Sequence, residues 1–153
     1  MKVLDILVRE ASILDLAATD KEGVLRELAH ALAGAEPNVD EATLLRVLTE
    51  RENLQSTGIG DSVAIPHGKL AGIDRLLAAF ARSRPGVDFD AIDGQPTQLF
   101  FVLVVPEHSG GQHLKALARI SRFLRDESFR ERLVAAKSLD EVFRAIEEED
   151  AKF

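Results

Sequence analysis

The sequence predicts an α/β fold, a single domain over residues 1–153 with a central mixed β-sheet flanked by helices. Three observations lead there. Leu76–Ala81 and Leu99–Val105 are continuous apolar segments of strand length, and the lack of polar alternation marks strands covered on both faces. Segments with helical periodicity stand before and after them, so helices and strands interleave along the chain. A length of 153 residues, 46% hydrophobic, suffices for one buried core without disulfides or metals, and the chain has no internal repeat or low-complexity linker.

Taken in order, Thr19-Asp20-Lys21-Glu22 predicts a helix start in which a hydroxyl or carboxylate caps the first turn and Glu22 reaches back. Val24, Leu25, Leu28, Ala29 and Leu32 follow at helical spacing, and Gly34 is expected to end the helix. After Pro37, Asp40 caps a second helix with Leu44, Leu45, Val47 and Leu48 on its apolar face, running to about Arg51. From Ser56 to Gly68 the chain is too rich in glycine and small hydroxyl residues for a helix and reads as a structured loop around a short strand. Pro85-Gly86 and Asp93-Gly94 mark turns between the two apolar strands. Gly110-Gly111 precedes a helix in which His113 occupies the first turn. His113, Leu117, Ile120 and Leu124 fall along one face of it, with Leu114 and Ala118 beside them. Ser138-Leu139-Asp140-Glu141 predicts a capping box for the last helix, where Val142, Phe143 and Ile146 supply apolar contacts and Glu147–Asp150 forms a solvated acidic end.

Composition excludes several functions. A net charge of −7, with no Trp and no Tyr, argues against nucleic acid as a partner, since both the phosphate attraction and the stacking platforms are missing. The longest apolar run, Leu99–Val105, is far short of the roughly 20 residues that span a bilayer. With no cysteine, and with Asp5 arriving before any apolar run has formed, a cytoplasmic location is expected.

Of the four histidines, His30, His67, His108 and His113, only His67 lies in a glycine- and hydroxyl-rich segment. Pro66 fixes its own φ and pushes Ile65 toward an extended conformation, so the His67 ring is held in a defined direction, as group transfer requires. Amides around Gly58, Gly60 and Gly68, the hydroxyls of Ser56, Thr57 and Ser62, and the Lys69 cation are the groups nearby that could meet a phosphate. An imidazole whose one N–H is fixed by a hydrogen bond presents its other nitrogen as a nucleophile, with no metal or other cofactor needed. Nucleotide motifs fail on spacing. Gly68-Lys69 is followed by Leu70, and Val63 stands where a P-loop needs its first glycine and where Gly58-Ile59-Gly60 would need its third. No His-Glu-x-x-His or cysteine pattern points to zinc.

Ser56-Thr57-Gly58-Ile59-Gly60 followed by Ile65-Pro66-His67-Gly68-Lys69 resembles the active-site signature of the fructose, mannitol and nitrogen-regulatory enzyme IIA components of the bacterial phosphotransferase system. The likeness continues through Phe89–Pro96, Leu99–Pro106 and His113-Leu114. The Phe89–Pro96 stretch is closer to the nitrogen branch. The resemblance implies the mannitol-type enzyme IIA fold and one type-2 IIA domain over residues 1–153. It implies that His67 is the phosphorylated histidine, His113 the second active-site histidine, and Arg51 the arginine ahead of the Ser-Thr-Gly segment. The implied donor is the phosphohistidine of an HPr-like carrier. The implied acceptor is an enzyme IIB, bringing peripheral contact with a membrane transporter, or else a regulatory target protein that reads the phosphorylation state. His30 and His108 receive no role, and Lys69 is left outside the site.

Overall fold

Strand β5, Thr97–Pro106, is the axis on which the sheet is built in the computed structural model, which describes residues 1–153. On one side it pairs antiparallel with β4, Leu77–Val87. On the other it pairs parallel with two short strands in succession, β2 (Val63–Ala64) and β3 (His67–Leu70). Val63 faces Leu99 and His67 faces Leu103, so the register is unchanged across Pro66. Residues 63–70 are therefore one parallel strand interrupted at a proline, which has no N–H to give the ladder but whose carbonyl still accepts from Leu103 N at 2.9 Å. Strand β1, Gly58–Gly60, completes a hairpin with β2 through Asp61 and Ser62, both at positive φ. The expected loop around a short strand is thus a hairpin arm and an interrupted strand.

The unbroken apolarity of β5 is explained by its neighbours. Phe100, Val102 and Val104 pack on one face against Leu28 and Leu32 of α2 (Lys21–Ala35) and Leu44 and Leu48 of α3 (Glu41–Leu54). Leu99 and Phe101 pack on the other against Ile120, Phe129, Leu133 and Ile146. Those residues belong to α4 (Gln112–Phe123), α5 (Glu127–Ala135) and α6 (Leu139–Asp150). A strand buried on both faces has no reason to alternate. Residues 7–16, which follow α1 (Val3–Ile6), run along the outer edge of β4, with Val8 N donating to Ala78 O at 2.7 Å and Ile13 N to Phe80 O at 2.8 Å.

Several expectations change. Pro85-Gly86 does not turn the chain: it lies within β4 as an irregularity between Arg82, opposite Leu99, and Val87, opposite Thr97, with Gly86 at φ +85°. Asp20 caps α2 by accepting from Gly23 N at 2.8 Å, but Glu22 pairs with Arg26 instead of reaching back. Helix α3 continues a further turn beyond Arg51. The buried face of α4 is Ala116, Ile120 and Phe123, while Leu114 is exposed and Leu124 lies beyond the helix end. Helix α5 was not anticipated. Asp126 caps it through Ser128 N and Phe129 N, and fully buried Arg82 holds its far end by donating to the carbonyls of Leu133, Val134 and Ala136.

At α6, Ser138 accepts from Glu141 N, but the Glu141 carboxylate takes Lys137 N, so the box is not reciprocal. The acidic end is not solvated either, because Glu149 and Asp150 are buried. Asp150 accepts from Val3 N at 2.9 Å and Leu4 N at 3.1 Å, capping α1, and pairs with Arg119 at 3.0 Å.

Candidate functional site

His67 opens β3 at the point where the interrupted strand resumes, so its backbone is registered on β5 while its ring follows the constrained Ile65-Pro66 unit. Nδ1 lies 2.7 Å from Ile65 O. A carbonyl oxygen can only accept, so Nδ1 carries the hydrogen and Nε2 keeps its lone pair. Burial of the half-exposed ring holds the His67 pKa below its ordinary 6.5, and the positive charge of Arg51 and a contribution from His113 press the same way; the bond to Ile65 O and the nearby Glu52 oppose them. The ring is thereby kept as a neutral imidazole near neutral pH.

One cavity of about 600 Å³ is lined by all three residues expected at the site, His67, Arg51 and His113. Its floor is apolar, from Val47, Leu103, Val105 and Leu117, and Lys69 and Glu50 add one charge of each sign. Arg51 stands in the last turn of α3, where its Nη1 donates to Gln55 O at 2.8 Å. That bond secures the C-terminal carbonyls of the helix and leaves the rest of the guanidinium fork available. His113 sits in the first turn of α4, with Nδ1 3.0 Å from Gly110 O, so the same reasoning leaves its Nε2 unprotonated in the neutral ring. No side chain caps this helix end, whose N–H groups lack intrahelical acceptors and favour an anion. A neutral nucleophilic nitrogen, a guanidinium, a second imidazole and a helix N-terminus together suit the transfer of a phosphoryl group.

Other expected phosphate contacts have different employment. Ser56 Oγ donates to Phe89 O at 2.7 Å and accepts from Gly58 N, while the Thr57 hydroxyl is given to Glu52. Ser62 uses its carbonyl to accept from Gln98 N and Leu99 N. Gly58, Gly60, Ser56, Thr57 and Ser62 line other parts of the fold; Gly68 and Lys69 alone of that set reach the cavity. His30 is exposed and 3.0 Å from Glu41, and His108 is exposed.

Glu52 escaped attention in the sequence. It is 5% exposed, and both its oxygens accept from Thr57 N, at 3.0 and 2.9 Å. A signal existed, since Leu44, Leu48 and Glu52 share one helical stripe and all three are buried.

The sequence and the fold have counterparts in known proteins. The chain is 39% identical over 146 residues to a nitrogen regulatory protein of Bradyrhizobium diazoefficiens, covering 95% of each. It is 35% identical over 150 residues to the fructose-specific EIIABC component of Bacillus subtilis, covering 98% of this chain and 24% of that larger protein. The crystal structure of nitrogen regulatory protein IIA-Ntr from Neisseria meningitidis superposes with a TM-score of 0.86 at 37% identity, covering 93% of this chain and 97% of that one. Residues 5–149 match the model of the phosphoenolpyruvate-dependent sugar phosphotransferase system EIIA 2 family. With its mixed sheet and flanking helices matched over nearly their whole length, this chain belongs to that EIIA 2 family.

Proposed function

We propose that residues 1–153 work as one type-2 enzyme IIA domain that accepts a phosphoryl group on His67 from the phosphohistidine of an HPr-like carrier. His67 Nε2 attacks phosphorus, the P–N bond to the donor ring breaks, and its electron pair returns to the donor nitrogen. Each ring keeps its own proton on the nitrogen that does not react. In this chain that proton stays on Nδ1, against Ile65 O. Arg51 stabilises the equatorial oxygens of the transferred group, and His113 joins it in the form that also carries a proton on Nε2, since its Nδ1–H is taken by Gly110 O. The observation that carries this reading is the His67 ring, fixed by one hydrogen bond from Nδ1, in the cavity that Arg51 and His113 also line. The exposed apolar side chains Leu54, 83% exposed on the cavity rim, and Leu114, 62% exposed beside His113, offer a carrier a docking surface. No helix is long and apolar enough to cross a membrane.

Likeness to nitrogen regulatory proteins over 95% of the chain favours a second reading of the fate of the phosphorylated form. The phosphoryl group then switches an interface with a regulatory target and is not handed to an enzyme IIB serving a sugar transporter.

Incubation with phosphoenolpyruvate, enzyme I and its histidine carrier is expected to add one acid-labile phosphoryl group, seen by intact-mass spectrometry, and His67→Ala to abolish it. An unlabelled wild-type chain would exclude the carrier role, and label persisting in His67→Ala would move it to another residue. Adding an enzyme IIB and measuring loss of the label separates onward transfer from a regulatory endpoint.

A further inference from the structure

Glu52 occupies an unfavourable place for an acid. It is buried in the last turn of α3, where the helix carbonyls already concentrate negative charge. Four donor contacts offset that cost: Thr57 N to both oxygens, the Thr57 hydroxyl at 2.5 Å, and Lys21 Nζ at 3.0 Å. Lys21 has a second partner in Asp90 at 3.3 Å and lies over the Phe89 ring, so anchoring the start of α2 does not by itself call for a buried carboxylate at position 52.

The contacts lead onward to the nucleophile. Thr57, gripped at its N–H and hydroxyl, accepts through its carbonyl from Ile65 N at 3.1 Å. Ile65, held there and fixed toward an extended conformation by Pro66, accepts from His67 Nδ1 at 2.7 Å. Carboxylate, threonine peptide, isoleucine peptide and imidazole thus form one hydrogen-bonded series. A displacement of Thr57 would loosen the Ile65 carbonyl that sets the ring's tautomer.

We propose that Glu52 is the positioning residue for His67, acting through Thr57 and Ile65 to keep the ring in its Nδ1–H form with Nε2 as the reacting nitrogen. The assignment rests on reading His67 as the phosphoryl acceptor, and it uses no contact between Glu52 and the transferred group.

The test combines ring spectroscopy with phosphorylation on the full chain. Nitrogen-15 shifts of the His67 ring report the tautomer and the titration, and labelling by phosphoenolpyruvate, enzyme I and the carrier reports the rate. Glu52→Gln keeps the shape but cannot accept from Thr57 at both atoms. It is expected to give a mixed tautomer, a His67 pKa lower than wild type because both the negative charge and the firm Ile65 bond are lost, and labelling slowed about tenfold. Thr57→Val loses only the hydroxyl and is expected to show both changes to a smaller extent. Thr57→Ser restores wild-type behaviour, and this pair decides the matter if Glu52→Gln does not fold. Wild-type ring shifts in Glu52→Gln or in Thr57→Val overturn the proposal, as does slowed labelling without a change at the ring or a changed ring without slowed labelling. If the wild-type chain itself takes no label, the carrier reading fails, and the ring shifts alone still confirm or refute the positioning role.

Discussion

A β-carbon on residue 68 would overlap Cγ1 of Val47, so Gly68 is what lets α3 lie against β3 and bring Arg51 to the same cavity as His67. The contact is with a short branched side chain close to its own backbone, which has little room to give.

Gly68→Ala is accordingly expected to destabilise the protein by about 1–3 kcal/mol, the usual range for overpacking, and to slow phosphorylation by pushing α3 outward. Val47→Ala should recover part of both losses in the double variant, because the two positions share one contact. Urea unfolding midpoints for the four members of the cycle measure this. Additive effects would show that the clash is relieved elsewhere.

Arg51→Lys keeps the charge but loses the planar fork and its bond to Gln55 O. Labelling on His67 is expected to fall about 10²-fold, comparable to removing one preorganised donor from a transition-state site, with little change in stability. His113→Ala should show a loss of the same kind. Stopped-flow or quench measurements at saturating phosphorylated carrier separate a rate effect from weaker docking.

The pH dependence is set by the direction of the His67 shift. The ring titrates below 6.5, so the acceptance rate should rise with pH to a plateau, with its midpoint below the ordinary histidine value. Arg51→Ala removes a nearby positive charge, which should move the His67 titration and the rate profile upward in pH. For stability the sign is opposite to that of a salt-bridged histidine. Below 6.5 the unfolded chain binds a proton at His67 that the folded chain resists, so this residue's contribution is unfavourable in acid and vanishes as pH rises through 6.5. His67→Gln should flatten that part of the stability curve.

Asp150→Ala leaves the Val3 and Leu4 amides uncapped and strands the Arg119 guanidinium, itself mostly buried, beside an empty place. A loss of about 3 kcal/mol is expected from a broken buried pair plus a lost cap. None of these residues lines the cavity around His67, so the His67 titration should be unchanged. An NMR titration of the variant under native conditions checks this, and a shifted His67 titration would contradict it.

His67 stands out as a candidate in residues 56–69, because proline, glycine and histidine constrain the backbone locally and their spacing is fixed by the chain itself, but of the phosphate contacts expected there only Gly68 and Lys69 reach the cavity. Arg51 and His113 came from the family likeness; no local property distinguishes an arginine near a helix end or a histidine in a first turn from ordinary surface residues. Glu52, Arg82 and Asp150 were missed for a common physical reason. A charged residue is expected to be solvated unless its partner is known, and their partners, Thr57, the α5 carbonyls and the α1 amides, are set by tertiary structure. The strands were found from unbroken apolarity, but their order and the Pro66 interruption were not. Pro85-Gly86 misled for the converse reason: both turn and bulge use the same residues, and only the pairing of β4 with β5 distinguishes them.

Residues 7–16 along β4 have a bearing on how the protein is handled. Their bonds to Ala78, Phe80 and Arg82 occupy the outer row of amides and carbonyls of an 11-residue strand. Trimming or proteolytic nicking of this segment would bare a long apolar strand edge, on which a second molecule could add its own. N-terminal degradation should therefore reveal itself as precipitation or oligomers sooner than as a simple loss of phosphorylation.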